Sequence, residues 1–213
     1  MCVVIGAGGL VGCSKAKKHE PVDTSKVFTV EKTFGPGYKS KTKGPTDINQ
    51  KMLQPEKLPP SVTFDPEDCR DYVTSGRLPQ GTRGRMSVFA TEGEGNRYTA
   101  IAVQADTDVP FDSESAAKCS HVTFEAGKLT GYVDEVDAPH IDGATTVGSH
   151  RQIEIALDEG TRSTEIYSFS AYLGDWLVMV TASPVMVKGE SAAPVDVDRG
   201  RQLLTDAVGA LRD

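Results

Sequence analysis

The sequence predicts an α+β fold: one domain built on an antiparallel β-sheet, with a few packed helices, one of them C-terminal, and one disulfide joining helix to sheet. Three observations predict it. Apolar and polar residues alternate in paired runs around Gly/Asp/Asn turns, at 85–105 and again at 165–182, which is the pattern of hairpins. Only the last fifteen residues carry a clear helical period. Strands joined mostly by hairpins, with few helices between them, fit an antiparallel layer and not a doubly wound sheet.

Residues 3–12, VVIGAGGLVG, admit two readings. Gly6, Gly8 and Gly12 after Val3-Val4-Ile5 resemble the glycine loop of a dinucleotide-binding unit. That loop must open a helix with an apolar face for packing on the sheet. The following stretch, SKAKKHEPVDTS, has no such face, and Pro21 interrupts it. Leu10-Val11-Gly12-Cys13 reads instead as a lipobox, with uncharged residues 2–12 as the apolar core of a signal peptide. The core is too short to span a bilayer, which takes about 20 apolar residues. No Lys or Arg precedes it, so this reading implies a translation start upstream of Met1. A buried strand at 2–12 is the competing structural account. The expected organisation is a signal peptide at 1–12, a lipidated Cys13 with a polar tether through residue 25, and a folded domain over 26–213. The covalent lipid is the only prosthetic group expected, and it ties the chain to the outer face of the cytoplasmic membrane.

The 23 Lys and Arg are outnumbered by 30 Asp and Glu, a net charge of −7. An acidic surface is a poor partner for nucleic acid, which needs a basic footprint. Lys15, Lys17 and Lys18 form a local exception beside the anchor, each able to add about 1 kcal/mol of attraction to an anionic membrane. Of four cysteines, Cys2 leaves with the signal and Cys13 is acylated. Cys69 and Cys119 remain, and an even pair in an exported chain most simply forms a disulfide, with free thiols as the alternative. The bond would close a loop of about 50 residues, worth about 4 kcal/mol in the chain-entropy picture.

The elements follow in order. Asp23–Val30 reads as a strand or a short helix. Phe34–Tyr38 is a turn leading into an extended run through Lys43. Thr46 is read as the N-cap of a short helix over Asp47–Leu53, and Pro55, Pro59 and Pro60 enforce loop. Val62–Phe64 is a short strand. Asp65-Pro66-Glu67-Asp68 opens a helix, with a capping Asp, an early Pro and acids at the positive end of the dipole. That helix carries Cys69, Tyr72 and Val73. Arg85–Thr91 and Tyr98–Ala105 make a hairpin. Ser113–Lys118 is a helix running into Cys119, and strands follow at His121–Phe124, Leu129–Val136 and around His150–Leu157. Glu165–Leu173 and Trp176–Ala182 flank Gly174-Asp175, a two-residue turn of the primed type. WLVMVTA is apolar almost throughout, as for a central strand covered on both faces. Asp198–Arg212 is an amphipathic helix, with Val197, Leu203, Leu204, Val208 and Leu211 on one side.

Several of these segments resemble a family of mycobacterial lipoproteins without assigned function. They are the lipobox, PEDC at 66–69, KCSHVTF around Cys119, APHIDGATT at 138–146 and the terminal YSFSAYLGDWLVMV. More distantly, the chain is similar to the extracellular sensor domain of a mycobacterial receptor Ser/Thr kinase. The resemblance spans roughly residues 25–212. It implies a single α+β domain with a disulfide-stapled helix and a cleft, and it lends no catalytic signature. The sensor domains typically carry two disulfides, where this chain has cysteines for one.

Chemistry is sparse. His121, His140 and His150 sit in no metal-ligand spacing, so no metal is expected. GxSxG and P-loop patterns are absent. His140 and Asp142 share a Pro/Gly loop with Asp137, a weak candidate for ligand binding. Arg83 and Arg85, in Gly-Thr-Arg-Gly-Arg, are a weak candidate for binding an anion. Tyr167, Phe169, Tyr172 and Trp176 bracket one hairpin, where core packing is the simpler account and an apolar pocket the sharper one. The expectation is a non-enzymatic envelope lipoprotein that binds an unidentified ligand or protein partner. The alternatives are a hydrolase with a site near 137–143 and an accessory subunit of an envelope complex.

Overall fold

The computed structural model describes residues 22–55, 57–158, 160–187 and 191–213. The expected signal peptide and Cys13 lie outside them. Residues 22–25, read as the end of the tether, are packed with the domain. The Val22 amide donates to Gln104 Oε1 at 2.9 Å, and Thr24 is buried with its hydroxyl 2.9 Å from that of Ser87. Asp23 caps a 3-10 helix over Thr24–Thr33, which resolves the strand-or-helix alternative in favour of helix.

Among the described residues nine strands form one sheet: β1 (Lys39–Asp47), β2 (Thr63–Asp65), β3 (Gly84–Gly93), β4 (Asn96–Ala105), β5 (His121–Ala126), β6 (Leu129–Val136), β7 (Thr145–Leu157), β8 (Gly160–Leu173) and β9 (Trp176–Pro184). Their order is β1-β3-β4-β9-β8-β7-β6-β5-β2, and every pairing is antiparallel. The helices α1 (Arg70–Thr74) and α2 (Ser113–Lys118) are short, and α3 (Val197–Arg212) closes the chain. The fold is therefore more sheet-rich than a balanced α+β arrangement.

The hairpin turns follow their chemistry. Glu94 and Gly95 both take positive φ, 52° and 77°, and Gly174 takes 67°, the left-handed backbone that two-residue turns demand. Two helix starts differ from the expectation. Thr46 and Asp47 remain in β1, paired with Met86 and Arg85, and Asn49 caps a single 3-10 turn at Gln50–Met52. Asp65 pairs with Thr123 in the sheet. Pro66 then takes the N-cap position with no side-chain bond, ahead of a 3-10 turn at Glu67–Cys69. In both places a backbone ladder outcompetes a local cap.

One face of the sheet is covered by α3 and the 3-10 helix. Asp196 caps α3, accepting from the Arg199 amide at 2.9 Å. Gly200, Leu203, Leu204, Ala207, Val208 and Leu211 then bury one stripe of the helix. Against it lie Phe169 and Ala171 of β8, Val178 and Val180 of β9, and Tyr98 and Ala100 of β4. Each such fully buried Leu, Val or Phe contributes about 1.5–3 kcal/mol.

The opposite face is covered only at its two sides. Leu53, Leu78, Met86, Val103, Tyr172 and Leu177 belong to one apolar cluster. Val62, Phe64, Val73, Val122 and Phe124 form the other, around the Cys69–Cys119 disulfide. That bond joins the end of the 3-10 turn before α1 to the residue after α2, across a Cα separation of 5.6 Å. Between the two clusters Thr99, Ser149, Ser168, Met179 and Thr181 stay half-exposed, with no described element packed over them. β9 shows both situations: Leu177, Val178, Val180 and Ala182 are fully buried, whereas Met179 and Thr181 are half-exposed. WLVMVTA is thus covered on one face and in part on the other.

Candidate functional site

The bare strip between the two clusters is the floor of a cleft of about 560 Å³, within the range of small-molecule sites. One wall comes from Met52–Pro55, and α1 and its exit supply Tyr72, Val73, Ser75 and Arg77. The disulfide braces that second wall at the start of α1. The floor comes from β4, β9, β8, β7 and β6, each presenting alternate residues to this face.

Register places the floor residues in transverse rows. Thr99 of β4 pairs with Thr181 of β9, Thr181 with Ser168 of β8, and Ser168 with Ser149 of β7. Beside that row stand Ile101, Met179, Ser170 and Val147, and on its other side Arg97, Ser183, Ile166 and Arg151. The arginines are engaged with the protein. Arg97 Nε is 2.6 Å from Glu92 Oε1. The Arg77 guanidinium lies 5.3 Å from the Tyr72 ring centre, and that of Arg151, largely buried, 5.4 Å from Phe124. Such cation–π contacts are worth about 0.5–2 kcal/mol depending on desolvation.

The weak sequence candidates lie elsewhere. His140 Nε2 is 3.2 Å from Asp142 Oδ1, both side chains open to solvent. Their loop is tied to α3: Arg201 donates to the Asp137 carbonyl at 2.9 Å, Arg212 donates to the Asp142 carbonyl, and Ile141 is buried in the α3 cluster. The loop is therefore on the helix-covered face, across the sheet from the cleft. Arg83 sits 3.7 Å from Asp106 and Arg85 3.2 Å from Asp47, both exposed. The structure does not bring these four residues together.

His121 and His150 also sit outside the cleft. His121 pairs with Asp134 at the surface. His150 stacks on Tyr167 with ring centres 4.1 Å apart, meets the edge of Tyr132 at 5.5 Å, and places Nε2 2.9 Å from Glu165 Oε2. Burial raises the pKa of both tyrosines, with the nearby carboxylates adding to it, so their hydroxyls stay neutral. Among the described residues no group of three His, Cys, Asp or Glu is placed to hold a metal ion.

The aromatic hairpin packs. Phe169 is fully buried under α3, Trp176 leans on the same cluster, and Tyr172 meets Phe111 at 5.0 Å. The hydroxyl row went unread in the sequence. Its one local trace is Ser168-x-Ser170 alternating with Tyr167, Phe169 and Ala171, small polar residues on one face of a strand whose other face is core.

Comparison with known proteins adds a family and a fold. Residues 23–212 match the family described as a domain of unknown function, DUF5642. The chain is similar to an uncharacterized protein of Mycobacterium smegmatis, the Rv0999 ortholog, of known crystal structure. The two are 38% identical with a TM-score of 0.83, over 90% of this chain and 98% of that one. It is also similar, at 14% identity and a TM-score of 0.43, to the extracellular domain of PknH from Mycobacterium tuberculosis, over 90% and 92% of the two chains. No curated protein matches. Among the described residues no helix is long and apolar enough to cross a membrane.

Proposed function

The chain belongs to the DUF5642 family, whose function is unassigned, and from that premise we propose that it is an extracytoplasmic binding protein, tethered by lipid at Cys13, that holds a ligand in the cleft without reacting with it. The cleft carries this reading. Two separate apolar clusters stop short of each other and leave a strip of sheet with a row of hydroxyls open between two walls. Antiparallel sheets commonly leave one face to solvent; here that face is walled on two sides into a cleft of ligand size. The disulfide supports an oxidising compartment, and the lipobox supports the anchor.

The test uses the full chain purified from its native membranes. Intact mass should show a species beginning at acylated Cys13 that gains two hydrogens on reduction. Solvent extraction should release a compound from the native protein that is missing from Thr181→Trp, where an indole fills the floor. An unprocessed chain carrying residues 1–12 and free thiols would overturn the anchor. The same extract from both proteins would overturn the cleft.

A further inference from the structure

The proposed cleft has a floor whose chemistry names a ligand class. Thr99, Thr181, Ser168 and Ser149 stand in register on four adjacent strands, so their hydroxyls repeat about every 4.8 Å over about 14 Å. All four are half-exposed, on the face that lines the cleft. The buried hydroxyls of Thr24 and Ser87 bond each other, whereas no hydrogen bond among the described residues takes up these four. A hydroxyl both donates and accepts. A ladder of them therefore matches a ligand that itself offers donors and acceptors along its length.

Charge argues for a neutral head. The arginines flanking the row are engaged, Arg97 by Glu92 and Arg151 against Phe124. At the β6 end, exposed Glu135 pairs with Ser149 and puts a carboxylate beside the row. An anion laid along the hydroxyls would meet that carboxylate, and would have to draw Arg97 away from Glu92. On the other side of the row the lining turns apolar, through Ile101 and Met179 of the floor to Met52 and Leu53 of the wall. Methionine is a soft, adaptable surface for a flexible hydrocarbon.

Resting on the cleft as the binding site, we infer that its ligand is a neutral amphiphile: a polyhydroxylated head lying along Thr99-Thr181-Ser168-Ser149, with an acyl chain running over Ile101 and Met179 toward Met52 and Leu53. Lipids and soluble acylated metabolites share this chemistry.

The test titrates the full chain carrying Cys13→Ser, formed with its disulfide and free of detergent, with four probes below their micellar concentrations. Dodecanoyl glycerol should bind at least tenfold tighter than dodecanoate and than dodecyltrimethylammonium, and glycerol alone should show no binding. Ser168→Ala with Thr181→Val should weaken dodecanoyl glycerol at least tenfold and erase the preference among heads. Ser149→Ala with Thr99→Val gives the same readout should the first pair fail to fold. Equal binding of the three dodecyl probes, or tighter binding of dodecanoate, would overturn the neutral-head assignment. If no probe binds while the membrane-derived compound still depends on an open cleft, the ligand class fails and the cleft reading stands. If Thr181→Trp binds dodecanoyl glycerol as well as the unmodified chain does, both fail.

Discussion

Gly200 of α3 lies over the ring of Phe169 of β8: a Cβ at Gly200 would stand 3.2 Å from that ring and 3.2 Å from the Ala182 methyl of β9. The absent side chain sets how closely the helix approaches the sheet. Gly200→Leu should force α3 outward and cost about 1–3 kcal/mol, as overpacking does. Gly209→Leu, with nothing within 4 Å of its Cβ position, should be harmless or mildly stabilising through helix propensity. Denaturant midpoints of the two variants check this, and equal midpoints would contradict it.

Cys69 and Cys119 brace the cleft wall as well as the fold. Their bond closes a loop with a sequence separation of 50, so Cys69→Ala with Cys119→Ala should lose about 4 kcal/mol. Reductant should lower the melting temperature of the native chain and leave the double variant unmoved. Hydrogen exchange should rise first in residues 63–74 and 119–124, the segments clustered around the bond. A reductant-insensitive native chain would contradict the assignment.

Much of the fold was legible because its signals are local. Gly174-Asp175 announces a hairpin by turn chemistry alone, and the buried stripe of α3 appears at its expected spacing. The disulfide followed from counting cysteines. The errors at Thr46 and Asp65 arose where a cap signal met a strand partner, Met86 and Thr123, that no local window contains. The cleft floor is wholly of this second kind. Thr99, Ser149, Ser168 and Thr181 are dispersed over more than eighty residues of sequence and meet only through the registers of four strands. His140 and Asp142, close in sequence, were easier to notice and are tied to α3 instead.

Stability should fall on the alkaline side for a definable reason. Burial holds the Tyr98 hydroxyl well above the ordinary phenol range, with the charge of Asp196 adding to it, and burial raises Tyr172 as well. The folded protein therefore keeps these protons more tightly than the unfolded chain. Their contribution is fully present below the unfolded pKa of 10.0 and is lost as pH rises above it. Tyr98→Phe should lose about 1 kcal/mol at neutral pH with its 3.3 Å bond to the Asp196 carbonyl, and should decline less steeply between pH 10 and 11. Denaturant unfolding across that range reads both effects. An unchanged alkaline slope would show that Tyr98 does not carry it.

The two sets of candidate residues make opposite forecasts, and one set of variants separates them. If ligand sits in the cleft, His140→Ala with Asp142→Ala removes only a solvent-exposed pair. The amount of compound carried from native membranes should then match the unmodified protein. Arg83→Ala with Arg85→Ala should behave alike, because the partners lost, Asp106 and Asp47, are surface carboxylates in pairs worth about 0–1 kcal/mol. Met179→Lys, by contrast, places a charge beside Ser170 on the floor, and should strip the compound while leaving the α3 core intact on the other face. Its ellipticity and its melting temperature should stay near native, since Met179 is half-exposed already. Loss of the compound in the His140 variant with retention in Met179→Lys would move the site to the 137–143 loop. A hydrolase would then become the reading to pursue, because that outcome would tie ligand to a loop that presents an imidazole beside a carboxylate in open solvent.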